Sequence, residues 1–130
     1  MEKQNQEIIK AVAERSNLGD YFQARANFKW EDVEKQFSWY TTGKVNMAYE
    51  AIDRNVELGR KDKIALYYSD ATRDEKYTFD EMRRYSNKFG NVLRKYGIQK
   101  GDRVFIFMPR TPELYFSLLG ILKVGAIAGP

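Results

Sequence analysis

Cysteine and histidine are both absent from this chain. No disulfide, no thiolate nucleophile and no Cys- or His-based metal site is available to it. The lack of histidine also removes the side chain most often used as a general base near neutral pH. A cysteine-free chain suits the cytoplasm, which is the location expected here. Long apolar runs are missing too. The longest uncharged apolar stretch, Leu114 to Leu122, is followed by Lys123 and is far short of the roughly 20 residues a membrane span needs. It reads as a buried core helix, and no membrane partner is expected. The polar start, "MEKQNQEIIKAVAERSNLGD", has no apolar core of the kind a signal peptide carries.

Charge of one sign is not concentrated anywhere. The net charge is +4 and the pI about 9.2, which raises the question of nucleic acid. Acids and bases alternate in "RKDK" and "RDEKYTFDEMRR", however, and this is the pattern of a mixed solvated surface rather than of a phosphate-binding stripe. No nucleic-acid partner is expected. Phosphate-cradling motifs are missing as well. "TTGKVN" has a Gly-Lys pair without the earlier glycine or the trailing hydroxyl of a P-loop, and no GxGxxG occurs. The acidic pairs Asp74-Glu75 and Asp80-Glu81 fall in a turn and at a helix start, where carboxylates suit the backbone without any catalytic partner.

What is present is core-forming material. Of 130 residues, 43% are hydrophobic and 15% aromatic, enough for one packed domain. The opening stretch through "IIKAVAERSN" is expected to be helical, with Ile8, Ile9 and Val12 on one face. "FKWEDVEKQFSWY" reads as an aromatic segment that wraps over a domain. In "GKVNMAYEAIDRNVELGRKDK", Asn46 is placed to cap a helix with Ala48, Ala51, Ile52 and Val56 on its apolar side, and Gly59 just past its end. Ile64–Tyr68 reads as a strand, "ATRD" as a turn and "EKYT" as a second short strand. Thr78 and Glu81 form a capping box that opens a helix over Phe79–Tyr96. Met82, Tyr85, Phe89, Val92, Leu93 and Tyr96 should make its core stripe, and Gly97 its end. "RVFIFM" (Arg103–Met108) is an unbroken apolar run, expected to be a strand buried on both faces. Thr111 caps the next helix with Pro112 in its first turn. "LYFSLLGILKV" is apolar nearly all round, Gly125 closes it, and "AIAGP" begins a further strand.

Strand, helix, strand, helix, strand predicts an α/β fold with a partial parallel sheet, in which Ile64–Tyr68 and Arg103–Met108 are neighbouring or near-neighbouring parallel strands and the Phe79–Tyr96 helix crosses between them. Arg110, beyond the carboxyl end of Arg103–Met108 and beside a helix N-terminus, is the position most suggestive of an anion contact, although a solvated arginine beside a cap is the favoured reading. No catalytic, cofactor-binding or metal-binding residue is assigned. Because the last strand has barely begun at Pro130, the chain is expected to be a fragment. Its Leu114–Val124 helix and its open strand edge should then drive self-association.

Four motifs in order add a resemblance. "YTFDEM", "GIQKGDRV", "MPRTPE" and "VGAIAGP" resemble the amino-terminal part of adenylate-forming enzymes, the acyl-CoA synthetase superfamily. Upstream, "FSWY" and "GKVNMAYEAIDRNV" resemble its acetate–CoA ligase branch. The resemblance covers about Phe28 to Pro130. It implies a helical extension over residues 1–60 and the start of an AMP-binding (adenylation) domain over 61–130. It also implies a two-step reaction in which ATP and a carboxylate give an acyl-adenylate and CoA then takes the acyl group. ATP, CoA and Mg2+ are the cofactors implied, and acetate the carboxylate, with propionate or acetoacetate as alternatives. The family's phosphate loop, ribose-binding acid and adenylation lysine match no position here, so the chain alone is expected to be inactive and to bind none of these cofactors. A free-standing small α/β nucleotide-binding module is the other reading.

Overall fold

A computed structural model describes residues 19–129. The helix expected around "IIKAVAERSN" lies outside the described residues. The chain divides into two compact units, 1–41 and 42–130.

In the first unit, the described residues form short helical pieces: α1 (Tyr21–Asn27), α2 (Trp30–Glu34) and the start of α3 (Trp39–Thr42), none with a buried residue. Asp20 caps α1 by accepting from the Phe22 and Gln23 amides at 2.8 and 3.1 Å. Aromatic pairs organise the rest. Phe28 meets Trp30 edge-on at 5.0 Å, and Phe37 stacks on Trp39 at 4.1 Å.

The second unit opens with a helix across residues 47–60 that is wound mainly as π-helix, at Tyr49–Asp53 and Val56–Arg60. Asn46 caps it as expected, accepting from the Ala48 and Tyr49 amides. Gly59 takes φ 80°, which ends the helical path. This helix packs on the elements that follow it. The 46–60 segment falls within the second unit, which begins at Thr42.

β1 (Ile64–Ser69) and β2 (Asp74–Thr78) make an antiparallel hairpin. Asp70 builds the turn, its Oδ1 accepting from the Thr72 and Arg73 amides at 2.7 and 3.0 Å. α4 (Phe79–Lys95) starts at the predicted capping box, with both of its reciprocal bonds present. α5 (Pro112–Val124) has Pro112 in its first turn and ends at Gly125 with φ 80°. β3 (Arg103–Phe105) and β4 (Ile127–Gly129) run parallel, linked through α5.

Three expectations are corrected here. First, β1 does not pair with β3. There are two separate two-stranded sheets, β1–β2 and β3–β4. The loop after β1 is only four residues long, so the chain returns beside β1 antiparallel, whereas a parallel neighbour needs a long crossover. Second, the α4 core stripe is rotated. Met82, Ser86, Gly90 and Leu93 are buried, while Tyr85, Val92 and Tyr96 are exposed. The small residues face α5 because the helices approach closely at Gly120. A Cβ there would lie 2.8 Å from the Ser86 carbonyl oxygen and 3.1 Å from the Gly90 nitrogen. Third, the Arg103–Met108 run is not buried on both faces. Val104 and Ile106 turn inward, while Phe105, Phe107 and Met108 are exposed. Paired strand ends at Phe105, and the Ile106 amide makes one more bond, to Gly129 O at 2.8 Å.

The buried residues form two clusters along the α4–α5 pair. Ile52, Met82 and Phe116 lie near the hairpin, and Leu93, Ile121 and Ala126 lie under the parallel strands. Fully burying one such side chain, as at Ile121, is worth about 1.5–3 kcal/mol.

Candidate functional site

Two of the four sequence motifs, "GIQKGDRV" and "VGAIAGP", meet where β3 and β4 begin. In "GIQKGDRV", Gly101 takes φ 93° and its amide bonds Gly125 O at 3.0 Å. The Asp102 carboxylate accepts from the Gln99 amide at 2.7 Å, and the Asp102 carbonyl accepts from the Ile127 amide at 2.7 Å. The stem of Lys100 lies against Gly125, where a Cβ would come within 3.1 Å of it. The turn before β3 and the Gly125-Ala126 step before β4 thus hold one another and set the register Arg103↔Ile127.

The 46–60 helix supplies the second half of the arrangement. Besides capping its own helix, Asn46 donates from Nδ2 to the Leu122 and Lys123 carbonyls at 3.3 and 3.5 Å, satisfying the end of α5. Lys123 Nζ donates to Asp53 Oδ1 at 3.0 Å and to Asn87 Oδ1 at 2.7 Å. It also lies 2.7 Å from Asp53 Oδ2, an ionic contact without hydrogen-bond alignment. The Lys123 and Asp53 side chains keep only 13% and 16% of their exposure, so the pair is largely desolvated. Glu50, one turn earlier, is buried and pairs with Arg54 at 3.6 Å. In the sequence, Asn46 signals only a helix cap, Asp53 and Arg54 enter only with the family-like "GKVNMAYEAIDRNV" stretch, Lys123 only as the charge that ends an apolar run, and nothing marks Asn87 or Glu50. The partners stand 70 residues apart or on separate helices, and no local spacing signals such a pair.

Two clefts flank Lys123. One, of about 270 Å³, is lined by Asn87, Gly90, Asn91 and Arg94, and the other, of about 600 Å³, by Lys44, Asn46, Lys100 and Gly125. Their lining includes cations and no carboxylate. They sit at the C-terminal ends of α4 and α5, where backbone carbonyls point outward and the helix dipoles favour positive groups over a bound phosphate.

At the opposite ends of the helices, the candidate position Arg110 is exposed beside α5. Glu113 in the first turn of α5 is held below the usual carboxylate range by the Thr111 hydroxyl. In α4, the Thr78 amide and hydroxyl lower Glu81 in the same way. Burial, helped by the hydrogen bond its hydroxyl donates to Glu75, pushes Tyr77 up to about 12. Each of these shifts has a partner within a helix cap or the hairpin. Among the described residues, no group of three His, Cys, Asp or Glu is placed to hold a metal ion. Nor is any described helix long and apolar enough to cross a membrane. The polar residues of this region hold elements in place.

The AMP-binding enzyme family matches residues 52–130, and the chain belongs to it. It is 60% identical over 127 residues to the acetyl-coenzyme A synthetase of Bacillus subtilis (strain 168), covering 97% of this chain and 22% of that protein. It is 39% identical over 92 residues to the mitochondrial acyl-CoA synthetase short-chain family member 3 of Pongo abelii, covering 69% of this chain and 13% of the relative. The crystal structure of an acyl-CoA synthetase from Brucella canis superposes with a TM-score of 0.68 at 31% identity, over 83% of this chain and 20% of that one. The chain therefore spans between about an eighth and about a fifth of the length of these relatives, and the four-motif resemblance agrees with the family found.

Proposed function

We propose that this chain is the amino-terminal segment of an ATP-dependent acetate–CoA ligase, an AMP-forming enzyme that makes acetyl-CoA through an acetyl-adenylate. The observation that carries the reading is the 60% identity, over nearly the whole chain, to a protein named acetyl-coenzyme A synthetase. Residues 61–130 would begin the AMP-binding domain, and residues 1–60 would form its helical extension, the last part of which is tied to the domain through Asn46 and Asp53. ATP, CoA and Mg2+ would be handled by residues outside this segment. Its own contribution is geometric, because the Lys123–Asp53–Asn87 anchor and the Gly101–Gly125 joint hold the start of the sheet. A cytoplasmic location accompanies use of ATP and CoA, and neither nucleic acid nor a membrane is a partner. By itself, the chain would be inactive and would self-associate.

A chimera tests the reading. Replacing the matching 127 residues of the Bacillus subtilis enzyme with this chain should preserve acetate-dependent exchange of pyrophosphate into ATP, while this chain alone should give no exchange above the no-enzyme rate. A folded chimera without acetate-dependent exchange, or exchange by the isolated chain, would refute the proposal.

A further inference from the structure

The helix after Asn46 contains a π turn that its local sequence does not call for. The Glu50 amide donates to the Asn46 carbonyl, four residues back, as in an α-helix. The Arg54 amide instead donates to the Tyr49 carbonyl, five residues back, and the wide turn covers Tyr49–Asp53. Such turns are rare and sit singly inside α-helices. No glycine or proline lies between residues 47 and 58 to cause one. The later wide stretch, Val56–Arg60, is different, because it breaks at Gly59.

The wide turn rotates one side chain. Measured around an α-helix from the fully buried Ala48, Ile52 would lie about 40° away and Asp53 about 140° away. A turn that takes up one extra residue swings both back by about 100°, leaving Ile52 about 60° to one side of Ala48 and Asp53 about 40° to the other. Ile52 still reaches the cluster of Met82 and Phe116, and Asp53 comes onto the packed face, where Lys123 Nζ meets its carboxylate at 2.7 and 3.0 Å.

We propose that the Asp53–Lys123 pair selects this π turn, so that the helix has two windings: π while Lys123 holds Asp53, and α when that contact is lost. Other contacts fix both ends of the segment. Asn46 donates to the last carbonyls of α5, and past the helix the Lys61 and Lys63 carbonyls accept from the Asp80 and Phe79 amides at 3.1 and 3.0 Å. Between fixed ends, a change of winding is a one-residue shift of register. Gly59, already at φ 80°, can absorb it because it has no Cβ to restrict its dihedrals. A contact at the end of α5 is thereby conveyed along the helix to the lead-in of β1. The inference rests on helix geometry and not on the ligase assignment, since no substrate enters its test.

Nitrogen–carbonyl NMR couplings across hydrogen bonds, measured on the isotope-labelled full chain, read the register directly. In the parent, the Arg54 amide should couple to the Tyr49 carbonyl. In Lys123→Ala it should couple to the Glu50 carbonyl. That variant leaves a buried carboxylate unpaired. The double variant Asp53→Ala with Lys123→Ala removes both charges, covers the case in which the single one fails to fold, and should also couple to Glu50. Glu81→Ala, which weakens the α4 cap without touching the pair, should keep the Tyr49 coupling. Coupling to Glu50 in the parent, or to Tyr49 in a folded Lys123→Ala or double variant, overturns the proposal. So does a move to Glu50 in Glu81→Ala, which would make the winding follow overall stability rather than the pair.

Discussion

Two glycines in one helix interface should respond in opposite ways to the same added methyl. At Gly120, a Cβ would sit 2.8 Å from Ser86 O, 2.9 Å from a Phe89 ring carbon and 3.1 Å from Gly90 N. Two of these neighbours are α4 backbone atoms, which yield only if the helices move apart. At Gly90, the nearest atoms are Gly120 O at 3.4 Å and a Val124 methyl at 3.5 Å, ordinary van der Waals contact. Each Gly→Ala change gains up to about 1 kcal/mol of helix propensity. Overpacking a tight contact costs about 1–3 kcal/mol, and contact with rigid backbone places Gly120 toward the upper end of that range. Gly120→Ala should therefore destabilise the chain by about 1–2 kcal/mol, while Gly90→Ala should be neutral or more stable by up to about 1 kcal/mol. Urea unfolding followed by circular dichroism at 222 nm, at concentrations where the chain is monomeric, reports both. Gly120→Ala as stable as the parent, or Gly90→Ala the worse of the two, would show that the α4–α5 contact is not as close as described.

Two other perturbations probe the anchor and the cap. Lys123→Ala leaves the Asp53 carboxylate desolvated without its cation and should cost about 3 kcal/mol in urea unfolding. Adding Asp53→Ala to it should cost less than the sum of the single changes, whereas strict additivity would mean the pair is not coupled. Glu81→Ala should cost about 1 kcal/mol near neutral pH, as for the loss of a capping interaction. Because Thr78 lowers the folded-state pKa of Glu81, that stabilisation is present above the unfolded carboxylate value and is lost as pH falls through the folded one. The gap between parent and Glu81→Ala should therefore close below about pH 4, and a gap constant down to strong acid would rule out the carboxylate as its source.

What the sequence determined by itself are the events that close within a few residues. The Thr78–Glu81 box, the Asn46 cap, Pro112 at the start of α5 and the left-handed glycines at 59 and 125 each depend on a donor, an acceptor or a dihedral three or four positions away. The family was legible for the same reason, since its motifs lie at these joints. Only the tertiary structure decided which strands pair, which side of α4 is buried and where the apolar surface is left open. A strand pattern carries alternation but no partner, so β1 could be expected beside β3 until the four-residue loop returned β2 to it. Hydrophobicity placed Tyr85, Val92 and Tyr96 on the core face of α4 together with Met82, Phe89 and Leu93, which do face it, yet closest approach belongs to residues without bulk, and Ser86, Gly90 and Gly120 took the contact. Lys123 met Asp53 across 70 residues of chain, a distance over which neither spacing nor propensity carries information, and where burial makes the pair matter most.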